Sequence, residues 1–321
     1  MRFDSFTRFI TPVVSLTGGL ATVFLLRRGI GFAPFSLGIA VAAWVSAVLF
    51  ARFFDESDPP SDTTSRGHRT LRWLSRSVVV GLYQNVLFFL VPIWFGSAEL
   101  TSVNVIFPVL LSAIALIACF DDHFSKRVLD HPTRRTVASA VLLFSVSVPA
   151  VALQNRLPLR FGVGLSAAVA TLVAAVLAFR GRGLLKALAI ALMISSAAGV
   201  VFYFIAFWLP PVPVQCVTEV AAAGIEDHRP VGIADVFPAG IPRIHVHFSV
   251  AAPERFRQKI RFQWYVNGEK RGRPIPSSII GGRKRGFRTW TYLSTPKRGA
   301  YRVDLETIDG QLIGRVRFRV R

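Results

Sequence analysis

Chemistry in this chain must come from a few polar groups set among apolar residues, and their types and spacing point to binding rather than catalysis. Arg288 and Trp290 lie two residues apart. On a strand they share a face, where the guanidinium either stacks on the indole or meets an acidic group. Arg315, Arg317, Arg319 and Arg321 repeat with the same period, a cationic stripe that attracts polyanions or guards a strand edge with charge. His245 and His247 also share one face. That is a usable metal spacing, but the only further ligands in view are Asp227 and His228, so the pair reads as solvated imidazoles. Asp121, Asp122 and His123 lack additional ligands at fixed spacing. No Gly-x-Ser-x-Gly elbow occurs. Catalytic residues, metal and cofactor are therefore expected to be none.

The elements that carry these groups divide at Pro210. Before it lie seven apolar runs, Phe9–Leu26, Ile30–Phe50, Val78–Phe95, Leu100–Phe120, Val137–Leu153, Phe161–Phe179 and Ala187–Leu209, none containing Asp, Glu, Lys, Arg or His. A spanning helix needs about 20 mostly apolar residues, and the mean hydropathy of +0.48 is too high for an ordinary soluble domain. The expected fold is a membrane all-α bundle of about seven transmembrane helices over 1–209, followed by an all-β immunoglobulin-like antiparallel sandwich over 210–321. Gln84, Asn85 and Asn104 are the strongly polar side chains well inside a run. They either bond between helices or line a substrate path.

Lys and Arg set the orientation. The N-terminus and the second, fourth and sixth loops hold 14 of them, against 4 on the other side, namely Arg27, Arg28, Arg156 and Arg160. The N-terminus is thus expected in the cytoplasm, and seven crossings place the C-terminal domain outside. Trp94 and Trp208 fall at the outward ends of their runs, where amphipathic rings favour the interface. The longest loop between runs, Asp55–Arg76, is acidic first and basic later, which suits an interfacial segment or a plain positive flank. Two cysteines, Cys119 and Cys216, fall one in each part and build no disulfide framework.

Beyond Pro210 the pattern alternates. Ile244–Val250 and Ile260–Val266 each put apolar residues on one face, and Asn267-Gly268 and Asp309-Gly310 supply hairpin turns. The stretch Val217–Val320 resembles the bacterial family catalogued as domain of unknown function 2914. Four motifs carry the likeness: Gly224-Ile225-x-Asp227-x-Arg229-Pro230-Val231, Phe262-x-Trp264-Tyr265-x-Asn267-Gly268, Gly286-Phe287-Arg288-Thr289-Trp290-Thr291, and Gly299-x-Tyr301-Arg302-Val303 with Asp309-Gly310. The region before it is similar to the helical bundle that precedes this domain in some members. The resemblance implies a β fold, a domain boundary and an envelope location, and no activity.

With a formal net charge of +20, the expected partners are the lipid bilayer, an anionic phospholipid or envelope polymer, or a protein; nucleic acid is not expected outside a cell membrane. The reading is a non-enzymatic protein of the bacterial inner membrane whose basic, periplasmic sandwich binds an anionic glycan, lipid or protein. The alternative is a transporter or a modifier of a lipid-linked substrate, with the β domain as accessory.

Overall fold

The structure, a computed structural model, describes residues 80–321 apart from 82, 85, 121–123, 125, 126, 129, 130, 154–157, 180–182, 255, 284 and 285. The runs Phe9–Leu26 and Ile30–Phe50, the Asp55–Arg76 loop, Asn85 and the Asp121–His123 group lie outside the described residues.

Apolar sequence makes helices first. They are α1 (Val86–Gly96), α2 (Ile106–Ala118), α3 (Pro132–Leu153), α4 (Leu159–Ala178) and α5 (Leu184–Ile205). Among the described residues three segments are long and apolar enough to cross a membrane, Thr133–Ala152, Leu159–Val176 and Leu185–Trp208. They correspond to the last three of the seven expected spans. The fourth run gives the shorter α2 instead, and the third, Val78–Phe95, includes residues outside the described ones. The cause is visible at Leu100–Phe120: its first residues form turns and a 3-10 helix, Val103–Val105, held by polar bonds. The helix begins only at Ile106 and has 13 residues, short of the ~20 that a span requires.

Small residues allow helices to approach closely. A Cβ added to Gly199 on α5 would lie 3.1 Å from the Ala168 Cβ and 3.2 Å from the Gly164 carbonyl on α4, so this small-residue surface is used inside the chain. Trp94, expected as an interface anchor, is instead fully buried with its ring 4.4 Å from that of Phe107; Trp208 is exposed.

Residues 93–108, 151–162 and 203–321 form one compact unit, and the described parts of 1–92, 109–150 and 163–202 form another. Among the described residues nine strands lie in the first of these. They are β1 (Gln215–Glu226), β2 (Arg229–Ile233), β3 (Val236–Phe237), β4 (Arg243–Ala251), β5 (Arg257–Val266), β6 (Glu269–Ile280), β7 (Phe287–Ser294), β8 (Gly299–Thr307) and β9 (Leu312–Val320). They pair as a four-stranded sheet, β2-β1-β4-β7, and a five-stranded sheet, β3-β9-β8-β5-β6. Period-two alternation sends Val246 and Phe248 of β4, Phe262 and Trp264 of β5, Val303 of β8 and Phe318 of β9 into one shared core. The Phe248 and Phe262 rings meet across it at 6.0 Å.

Pairing is antiparallel except where the two-residue β3 runs parallel to β9, so the β region is mixed rather than purely antiparallel. At the β5–β6 hairpin Asn267 and Gly268 take φ of 51° and 92°, a conformation that these two residues reach at low cost.

Candidate functional site

The alternation that fills the core also sorts the polar groups onto two outer faces. On the four-stranded sheet, register aligns Ala222, His245 and Tyr292 in one row, and Val220, His247 and Trp290 in the next. Arg288 stands opposite Ser249 in the third. Trp290 is 38% exposed and Tyr292 51%, side by side on edge strand β7. Each ring has a nitrogenous partner. The His247 imidazole lies parallel to the Trp290 indole with centroids 6.5 Å apart, and His228 from the β1–β2 turn meets the same indole edge-on at 5.5 Å. Arg243 covers the Tyr292 ring at 4.4 Å. Arg288 and Trp290 share the face, as expected, although the neighbours seen on the indole are imidazoles.

His247 departs from expectation. It is only 3% exposed, not solvated, and among the described residues neither of its ring nitrogens has a hydrogen-bond partner; His245 Nδ1 is likewise unpartnered. Burial, and then the charge of Arg288, hold the His247 imidazole below the usual histidine range. Burial and Arg243 do the same for His245. Such rings are neutral at pH 7, each with one N–H donor and one bare acceptor. No group of three His, Cys, Asp or Glu that could hold a metal occurs among the described residues.

The five-stranded sheet uses its charges differently. Asp304 on β8, 2% exposed, accepts two bonds from Arg315, Nε to Oδ1 at 2.7 Å and Nη2 to Oδ2 at 2.9 Å. Arg315 also donates to the Thr101 carbonyl at 3.3 Å, and its backbone N–H donates to the Glu219 carboxylate at 2.8 Å. The guanidinium expected to face a ligand is thus engaged within the protein. Arg317 and Arg319 are exposed. Arg261 donates twice to Glu306 Oε2, at 3.0 and 2.9 Å, as their cross-strand register requires. Arg302 lies 3.7 Å from the centroid of the Tyr265 ring.

Beside these pairs a cleft of about 300 Å³ opens between β5, β6, the β8–β9 turn and Phe207. Sequence reasoning did not find it, because its lining comes from separate strands. The one legible signal was the alternation of Arg261, Gln263 and Tyr265 away from the core.

Of the polar residues expected within spans, Gln84 donates to the Ala118 carbonyl at 2.5 Å. Asn104 sits in the 3-10 helix Val103–Val105 ahead of α2; it accepts from the Glu99 N–H at 3.1 Å and donates to the Leu312 carbonyl at 3.2 Å. Cys119 and Cys216 are free thiols. Burial pushes the Cys216 thiol well up, aided by the adjacent Glu219 carboxylate, which makes it a poor nucleophile at neutral pH.

A family model described as a family of unknown function, DUF5924, matches residues 2–230, more than two thirds of the chain. The chain belongs to the DUF5924 family. In this DUF5924 chain a second model, a protein of unknown function, DUF2914, matches residues 257–320, from β5 to the end of β9. Three of the four motifs that suggested the likeness fall within that match. The fourth, Gly224–Val231, lies in the DUF5924 range up to Pro230. Comparison with curated proteins and with solved structures finds no match.

Proposed function

We propose that this protein is a non-enzymatic, multi-pass protein of the bacterial inner membrane whose periplasmic β domain, over 210–321, captures an anionic glycan of the envelope. The observation that carries the reading is the outer face of the four-stranded sheet. Trp290 and Tyr292 offer two exposed rings on which the C–H faces of sugar rings stack. Arg243 and Arg288 stand beside them as donors for carboxylates and hydroxyls. Arg317 and Arg319 on the other sheet add to the positive field that draws polyanions in. Gln84 and Asn104 each bond a backbone carbonyl, which favours this reading over a helical bundle that moves a polar substrate.

Threading supports the placement. Helices α1, α3 and α5 end in the compact unit that holds the sheets, and α2 and α4 begin there. In the sequence, the links from α2 to α3 and from α4 to α5 carry Lys126, Arg127, Arg180 and Arg182, as cytoplasmic loops do.

An immunoglobulin-like sandwich is the fold that accounts best for the strand order. In that scheme β5, β8 and β9 take the places of strands C, F and G with β6 as C′, and β1, β4 and β7 those of A, B and E. Two side chains agree with it. Trp264, on the C-like strand, is 5% exposed in the core. Tyr301, at the start of the F-like strand, donates its hydroxyl to the Lys297 carbonyl at 2.7 Å, the corner hydrogen bond of that fold. The β1–β2 hairpin is an addition to the scheme.

The test is binding of the full chain, held in lipid nanodiscs, to a uronic-acid polysaccharide and to its neutral counterpart at several salt concentrations. The reading expects salt-sensitive binding to the acidic polymer, reduced about tenfold or more by Trp290→Ala, a loss of ~1.4 kcal/mol. Absence of binding at low salt removes it.

A further inference from the structure

The cleft on the five-stranded sheet is a second site, distinct from the aromatic face in both lining and position. Its wall includes Phe207, which belongs to the apolar segment Leu185–Trp208, long enough to cross a membrane. Phe204, Phe207 and Trp208 are all exposed at the end of that segment, where aromatic rings settle at headgroup depth. The cleft therefore opens where a span leaves the hydrocarbon.

Its charges are mostly matched within the protein. Arg261 is bound to Glu306 at 2.9 Å, and Asp309 to Arg160 at 3.0 Å. Lys270, on edge strand β6, lines the cleft with no carboxylate partner among the described residues. Among the described residues this leaves the Lys270 ammonium uncompensated, beside the donors and acceptors of Gln263 and Tyr265. A volume of about 300 Å³ is at the small end of ligand sites, ~300–1,000 Å³, and suits a polar headgroup rather than acyl chains.

We infer that this cleft seats the monoanionic phosphodiester headgroup of a membrane phospholipid, with Lys270 at the phosphate and the acyl chains running along Phe204 and Phe207. One negative charge matches the one cation of the cleft that has no carboxylate partner among the described residues. The inference rests on the membrane placement proposed above but not on glycan capture, since no residue is shared between the two sites.

The experiment uses the full chain, delipidated in a neutral detergent, and native mass spectrometry with four probes: phosphatidylglycerol, diacylglycerol, glycerophosphoglycerol and inorganic phosphate. One phosphatidylglycerol should be retained per chain, with Lys270→Glu lowering retention about tenfold. Arg273→Glu, on the same strand outside the cleft, should retain it fully and shows that a general loss of positive charge is not the cause. Trp290→Ala should also leave retention unchanged, which separates this site from the glycan face. Equal retention of diacylglycerol, indifference to Lys270→Glu, or no retained phospholipid would overturn the assignment. Glycerophosphoglycerol binding as tightly as the lipid overturns the lipid source in favour of a soluble phosphodiester.

Discussion

The two sheets of the β domain carry similar side chains and use them in opposite ways. On the five-stranded sheet, guanidinium groups find carboxylates: Arg315 closes on Asp304 and Arg261 on Glu306. On the four-stranded sheet Arg243 lies over an aromatic ring and the imidazoles of His245 and His247 keep bare nitrogens. Formal charge is thus a poor guide to available charge. Arg315 looks equivalent to Arg317 and Arg319 in sequence, yet it is an internal strut.

The contrast can be broken most severely at the tryptophans. Trp264→Ala empties the shared core and should cost ~3–5 kcal/mol, read as a large fall in Tm of the full chain in detergent, whereas Trp290→Ala should leave Tm nearly unchanged while weakening glycan binding about tenfold or more. Equal effects of the two on Tm would erase the distinction between core and platform. Next in size, Asp304→Asn takes the charge from a buried pair and leaves Arg315 poorly matched, at a cost of roughly 3 kcal/mol by thermal unfolding. A Tm within a degree of wild type would mean that the strut carries no load. Tyr301→Phe removes one hydrogen bond to Lys297 and should cost about 1 kcal/mol; no change in Tm would count against the corner.

Acid sharpens the contrast further. His245 and His247 are held below their ordinary value of 6.5 in the folded chain, so the unfolded chain binds more protons as pH falls through that region. Stability then rises with pH there, and acidification lowers it until the folded-state values are passed. His247→Gln should flatten the acid limb of Tm against pH, and an unchanged limb would show that this imidazole does not control it. The smallest effect is expected at Arg317→Glu with Arg319→Glu. Stability should stay within about 0.5 kcal/mol, while glycan association slows and loses part of its salt dependence; a large change in Tm would place these residues in the fold after all.

Much of the strand order was hidden, although the strands themselves were plain. Ile244–Val250 and Ile260–Val266 announce themselves because one face is buried and the other is not, which forces period two. Asn267-Gly268 marks its hairpin for steric reasons. By contrast β6 carries Pro274 and Pro276 and is exposed nearly throughout, a pattern tolerated only because it is an edge. Alanine-rich β1 alternates weakly and was equally hard to see. The candidate site was half legible: spacing placed Arg288 with Trp290, but Tyr292, Arg243 and the burial of His247 depend on cross-strand register, which sequence does not disclose. Asn104 misled because an apolar run says nothing of the polar bonds that delay a helix start.

The contacts of β9 carry a consequence for how the domain moves. Arg315 holds the Thr101 carbonyl, the Leu312 carbonyl takes a bond from Asn104, and Gln311 reaches the Leu209 carbonyl at 3.4 Å. All of these partners belong to the same compact unit, so β9 and the residue before it cannot peel away from 101–104 and 209 without breaking all three bonds.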